Sequence, residues 1–255
     1  MKLEVDYRVI MEMKERSSLM NETALIVKDF NLYINSERVL KDISFSIPRG
    51  QIVLFYGPRG SGKSMLLRTM LHLNEELFEN VYGDGIVEPF GKRIEDYDRK
   101  ELRNDIAYVD TSFLNALSDF SLKEFFRLIK GNNFKLEDLS DYDLDLIKTL
   151  HIEDILTYSP KTSLNVLLPY QRILLLIYST LARKPSMVIL DSIVDNLDDE
   201  SSVHVKNMIY QSNKDCTVLL SSRYTLRFLD ICDLLISLKD GKISYVGTPE
   251  NYVVS

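Results

Sequence analysis

The sequence has little of what would carry a chain into a membrane, onto nucleic acid or into a disulfide framework. Its longest apolar run, Ile173 to Ala182, is bounded by Arg172 and Arg183 and reaches about half of the roughly 20 residues that a spanning helix needs. The opening MKLEVDYRVIMEMKER mixes acids with bases and lacks the apolar stretch and small-residue cleavage site of a secretory leader. A cytoplasmic location follows as the expectation. There are only two cysteines, Cys216 and Cys232, in no metal-like or redox-like spacing, which predicts reduced structural thiols. The three histidines, His72, His151 and His204, are scattered, and no histidine chemistry is expected. Acids outnumber bases, for a net charge of −7 and an isoelectric point near 5.1. No general field for nucleic acid or anionic lipid results, so a nucleic-acid partner is not expected and any phosphate site must be built locally. What is left is a globular composition: 255 residues, 45% hydrophobic and 27% charged, enough for one large domain or two small ones with a substantial core.

Residues 1–22 show no clean period and read as an N-terminal extension. From Ala24 the text alternates as strands do: ALIVKDFNLYI, VLKDISFSI and, after a turn at Pro48 to Gly50, QIVLFYG. Further strands are predicted at Ile106 to Asp110, Met187 to Asp191, Thr217 to Ser222, Leu234 to Leu238 and Lys242 to Gly247. Helical text separates most of them, which predicts a mostly parallel sheet covered on both faces. MLLRTMLHLNEEL is predicted as a helix with Met65, Leu66, Leu67, Met70, Leu71 and Leu73 on one broad face. From about Ser118 to Thr162 the text turns to short helical segments rich in acids: Glu137, Asp138, Asp141, Asp143, Asp145, Glu153 and Asp154. These read as a helical insertion with a solvated acidic face.

Between the third strand and that helix stands Gly57-Pro58-Arg59-Gly60-Ser61-Gly62-Lys63-Ser64, the pattern of Gly, four residues, Gly, Lys, then Ser or Thr that cradles phosphates. Glycines let the backbone close around phosphate oxygens while successive N–H groups converge on them at a helix start. Lys63 is expected to reach the terminal phosphates and the Ser64 hydroxyl to ligate Mg²⁺. The metal needs a carboxylate as well, and Asp191, at the end of an apolar strand, is the candidate.

With these pieces in place, the chain resembles the ATP-binding cassette ATPases of ABC transporters over about Ala24 to Ser255. The resemblance rests on VLKDISFSIPRGQ, GPRGSGKS, LRNDIAYVD, YQR followed by LARKPSMVILD, NLD and LLISLKDGKISYVGTP in this order. The long LHLNEELFENVYGDGIVEPFGKRI is similar to the phosphate-import branch. The resemblance implies an α/β fold of the P-loop type. Its parts are a mostly parallel sheet, an N-terminal antiparallel β subdomain and a helical subdomain at about 112–168, all within an ATP-binding domain over 23–255. It implies ATP and Mg²⁺ as ligands and a membrane permease as partner at the inner face of the cell membrane. It further implies a dimer as the working unit, with a second copy or with an intact ABC ATPase.

The departures from the family pattern matter most. The Leu-Ser-Gly-Gly-Gln signature, which touches the partner's ATP, falls on Asn165, Val166, Leu167, Leu168 and Pro169, and none of its residues is retained. Ser192 stands where the family has a water-polarising glutamate, and Arg223 where it has a switch histidine. Asp110 and Thr111 stand where it has a glutamine, and Met65 at the loop's second hydroxyl position. Tyr33 is the candidate for stacking on adenine, with a packed strand residue as the alternative. Asp195-Asn196-Leu197-Asp198 keeps the Leu-Asp end of the dimer-contact loop. A missing general base costs about 10²- to 10⁴-fold in rate and a missing preorganised donor a further 10²- to 10³-fold, so nucleotide binding is expected to outlast hydrolysis. The competing readings are a soluble regulatory or scaffold protein on the same fold and, with less support, a small-molecule P-loop kinase. Phe113, Leu114, Phe120, Phe125 and Phe126 lie where the family receives a permease helix, but read first as subdomain core.

Overall fold

The computed structural model describes residues 23–212, 216–224 and 227–252; the N-terminal extension predicted over 1–22 lies outside them. Two sheets organise the chain. The first is antiparallel, in the order β2-β1-β4, from β1 (Thr23–Ile34), β2 (Glu37–Pro48) and β4 (Val81–Pro89). The second has six strands in the order β5-β6-β7-β3-β8-β9: β3 (Ile52–Tyr56), β5 (Ile106–Asp110), β6 (Met187–Asp191), β7 (Thr217–Ser222), β8 (Leu234–Lys239) and β9 (Lys242–Gly247). Its strands run parallel except β9, which pairs antiparallel with β8.

The parallel strands are buried on both faces, as their unbroken apolar text requires. In β6, Val188 and Leu190 join one core cluster while Met187 and Ile189 join the other, the period-two alternation of a strand dividing its side chains between two layers. Ile52 and Leu54 of β3 face the first layer and Val53 and Phe55 the second. The second layer lies between this sheet, the antiparallel sheet and helix α1 (Lys63–Thr69). The first contains the long helix α7 (Pro169–Leu181) and the short helices α4 (Phe113–Leu117), α5 (Leu122–Lys130) and α6 (Asp141–Thr149). Helices α2 (Asn74–Leu77), α3 (Arg99–Asp105) and α8 (Asp199–Ser212) complete the set. The fold is thus α/β, with an antiparallel β layer at the start of the described chain and helices over the sheet. No helix among the described residues is long and apolar enough to cross a membrane.

Three details depart from the sequence reading. The helix predicted over MLLRTMLHLNEEL breaks after Thr69: Leu71 and Leu73 both donate to the Arg68 carbonyl, and His72 between them takes φ 54°. The Asn74 side chain then donates 2.8 Å to the Met65 carbonyl and fixes the turn. A strand absent from the reading, β4, pairs with β1 through VYGDGIVEP, whose glycines and acids hide its β character. The acidic face is exposed except at Asp143, which is buried and takes Lys130 at 2.5 Å, the Tyr178 hydroxyl at 3.0 Å and Ser140 at 2.6 Å. Phe125 and Phe126 are core residues, whereas Phe113 is exposed. Cys216 is buried and Cys232 half-buried.

Candidate functional site

β3 delivers the chain to the phosphate loop, and glycine is required at the loop's tightest point. A Cβ on Gly57 would lie 2.2 Å from the Leu238 carbonyl oxygen of β8, far inside contact distance. Gly62, just before α1, adopts φ 102°, a region that L side chains rarely enter. Inside the loop Lys63 is buried, its ammonium donating to the carbonyls of Gly57 (2.7 Å) and Pro58 (3.1 Å) and to Ser61 Oγ (3.4 Å). Burial pushes its pKa down, while the carboxylates of Asp191 and Asp195 oppose that shift. Gly60 shapes the outer turn at φ 81°. Met65 puts a half-buried thioether against the second core layer and supplies no hydroxyl.

Strand pairing brings Asp191 to the loop. β6 is separated from β3 only by β7, so its C-terminal residue emerges on the edge from which the loop springs. Ser64 Oγ donates 3.1 Å to Asp191 Oδ1, the pair that sequence reasoning assigned to a metal. Ser221 of β7 donates to the same oxygen at 2.5 Å, and the Tyr108 hydroxyl reaches Asp191 Oδ2 at 2.9 Å. Tyr108 also lies 2.8 Å from Asp110 Oδ2, and Arg68 closes the circuit by donating to the Tyr108 oxygen at 3.1 Å and to Asp110 at 2.8 Å. Burial and the two carboxylates push the Tyr108 phenol far above its ordinary range, which keeps it a donor. Burial works against Asp110, yet hydrogen bonds from Ser112, Arg68 and Tyr108 hold it below the usual carboxylate range.

The position after Asp191 carries no acid. Ser192 sits at φ 56°, its amide donating 2.9 Å to Ser221 Oγ and its hydroxyl 3.1 Å from the same atom. A second carboxylate, Asp195, stands one turn on with its side chain 1% exposed. It accepts from the Ser222 hydroxyl and from the backbone and Nε of Arg223, each at 3.2 Å. Thr111 is exposed and takes no part. Tyr33 is half-buried on the antiparallel sheet, its ring centroid 6.0 Å from that of Tyr82, whereas neighbouring Ile34 packs into the layer that contains α1.

At the start of α7, Leu164 and Leu167 are buried while Val166 and Leu168 are 56% and 53% exposed. Pro169 opens the helix without an N–H. Gln171 closes it from within, accepting from the Leu168 amide at 2.9 Å and donating to Asp154 at 2.7 Å. Sequence reasoning located the cradle but missed Tyr108, Ser221 and the pairing of Asp195, which depend on which strand ends lie side by side.

The ABC transporter family model matches residues 40–194, more than half of the chain. The chain belongs to the ABC transporter family. This ABC subunit is similar to "Phosphate import ATP-binding protein PstB 1" of Vibrio cholerae, at 27% identity over 237 residues covering 89% of this chain and 84% of that protein. In fold it is similar to cbiO1 from Clostridium perfringens, described as part of the ABC transporter complex cbiONQ. The TM-score is 0.72 at 22% identity, over 90% of each chain. It is also similar in fold to a bacterial Atm1-family ABC exporter with ATP bound, at a TM-score of 0.76 and 18% identity over 91% of this chain. It spans 40% of the exporter's length.

Proposed function

We propose that this ABC subunit binds Mg-ATP through its phosphate loop, hydrolyses it poorly and transmits nucleotide binding to a membrane permease in a phosphate-import-like transporter. The observation that carries this reading is the juxtaposition of Lys63, Ser64 and Asp191 with a hydroxyl, Ser192, at the position where the family resemblance calls for glutamate. The donor set is hydroxyl and carboxylate oxygen, which suits Mg²⁺. Bound between Ser64 and Asp191, the metal would neutralise phosphate charge. Lys63 holds its ammonium among loop carbonyls that are poorer partners than phosphate, so an incoming anion draws it away with a charge-assisted bond. Loop amides and the Ser61 hydroxyl orient the rest of the tail.

Hydrolysis is another matter. Ser192 is a neutral hydroxyl tied to Ser221, and no proton acceptor of carboxylate strength occupies its place. In a homodimer each composite site would also meet Val166 to Pro169 of the other copy, where the signature's hydroxyl and glycine amides are absent. Paired with an intact ABC ATPase, the chain would leave one site lacking base and switch histidine and the other lacking the signature. Residual turnover then belongs at the partner's loop. The phosphate-import relative and the cbiONQ subunit supply the argument for a permease partner.

Two measurements on the purified full chain test this. Calorimetry with Mg-ATP is expected to show binding that Lys63→Ala weakens at least tenfold, while phosphate release stays at background. Phosphate release abolished by Lys63→Ala but not requiring a partner overturns the impaired-hydrolysis reading. Co-purification with a multi-span membrane protein supports the permease partnership; recovery with a soluble partner alone favours the scaffold alternative.

A further inference from the structure

Two side chains at the site are left over once Lys63, Ser64 and Asp191 have been given their roles. Asp195 lies in the turn after β6, the strand that ends in Asp191, and Arg223 follows β7, whose Ser221 hydrogen-bonds that same Asp191. β6, β7 and β3 are adjacent in the sheet and parallel. Their C-terminal ends form one edge, and the phosphate loop rises from it. Asp195 is 1% exposed and Arg223 46% exposed, with guanidinium Nε on the carboxylate at 3.2 Å. The guanidinium also lies over the Tyr224 ring, whose centroid is 5.6 Å away. Both charges act on the Lys63 ammonium, the carboxylate favouring it and the guanidinium opposing it, so the pair stands within the electrostatic field of the cradle.

We propose that Asp195 is a built-in competitor for the terminal phosphate: it holds Arg223 at the mouth of the loop, and a nucleoside triphosphate must draw the guanidinium away from it. The pair thereby sets how strongly the site distinguishes triphosphate from diphosphate. The inference rests on the nucleotide-binding reading above.

The exchange is chemically balanced. A guanidinium makes forked, charge-assisted bonds to phosphate oxygens as well as to carboxylate, and a half-exposed side chain has the freedom to swing. Asp195 is not orphaned when Arg223 leaves its side, because the Ser222 hydroxyl and the Arg223 backbone N–H remain on its two oxygens. A diphosphate has no terminal group at that place and leaves the ion pair closed. The buried carboxylate therefore opposes a triphosphate twice, by occupying the arginine and by its own charge.

Calorimetric titration of the full chain with the magnesium complexes of ADP and of a non-hydrolysable ATP analogue tests this. Asp195→Asn is expected to tighten the triphosphate about tenfold and ADP by less than about threefold. Arg223→Gln keeps the buried carboxylate but removes its exposed partner, and is expected to weaken the triphosphate about tenfold while moving ADP by less than about threefold. Thermal melting reports whether each variant is folded; if Asp195→Asn is not, the exposed Arg223→Gln carries the decision. A triphosphate-to-diphosphate ratio unchanged by Arg223→Gln, in a chain whose binding still depends on Lys63, overturns the latch alone. Absence of any nucleotide binding by the unaltered chain overturns the nucleotide reading, and the latch falls with it.

Discussion

One phenolic proton sits at the centre of the site. Tyr108 offers it to Asp191 at 2.9 Å and to Asp110 at 2.8 Å, while Arg68 supports the oxygen from behind. Tyr108→Phe removes the donor and leaves two buried carboxylates each short of a partner. It is expected to cost about 1–3 kcal/mol of stability, read by urea denaturation. Legibility in the sequence divides here along a physical line. Lys63 and Ser64 were legible because covalent spacing alone places them in the loop, and Asp191 because an apolar strand ending in an acid, common by itself, gains meaning once paired with the lysine of that loop. Tyr108, Ser221 and Asp195 were not, because their roles come from hydrogen bonds between strand ends far apart in sequence. Tyr33 shows the same limit from the other side, since the sequence left its platform and packing roles open and its ring contact is with Tyr82, a residue of the unforeseen β4.

Among the elements, the six-stranded sheet was readable throughout because each of its strands carries either an unbroken apolar run or a clean alternation. β4 was not, since its partner β1 supplies the register that its own composition does not advertise. The predicted long helix failed for a related reason: apolar residues at helical spacing continue past Thr69, but two amides converging on the Arg68 carbonyl and the Asn74 side chain on the Met65 carbonyl end it. The loop ahead of that helix holds two glycines of different standing, Gly57 at a fixed position of the phosphate-loop pattern and Gly60 at one of its four free positions. Gly57→Ala drives a methyl to 2.2 Å from a β8 carbonyl that cannot yield without moving the sheet. Gly60→Ala meets nothing within 4 Å and bears only the strain of φ 81°. The first is expected to cost more than about 3 kcal/mol and to abolish nucleotide binding, the second about 1–2 kcal/mol with binding retained. Chemical denaturation and calorimetry on the two variants check this.

On the scale of the whole molecule, stability should respond to mild acid in two opposing ways. His204 stacks on His151 with ring centroids 4.0 Å apart, joining α8 to the turn after α6, and burial followed by His151 pulls its pKa down. A depressed imidazole stabilises the fold while neutral, so its contribution is present above the ordinary value of about 6.5 and is lost as pH falls through the native pKa. His72 is raised, chiefly by its hydrogen bond to Glu75, so its contribution is present below about 6.5 and fades as pH rises through its native pKa. Melting curves between about pH 5 and 8 are therefore expected to lose their acid-side decline in His204→Gln and their alkaline-side decline in His72→Gln. Unchanged profiles would mean that neither ring is coupled to folding.

The rim at Val166 and Leu168 has a consequence for how this molecule meets any neighbour there. Val166 and Leu168 carry no charge to be screened, and next to them the Leu168 amide is already taken by Gln171 while Pro169 has no N–H to offer. A contact across the rim is governed by water release alone. It therefore tightens as sulfate or other excluded salts are added, opposite to the behaviour of the phosphate cradle.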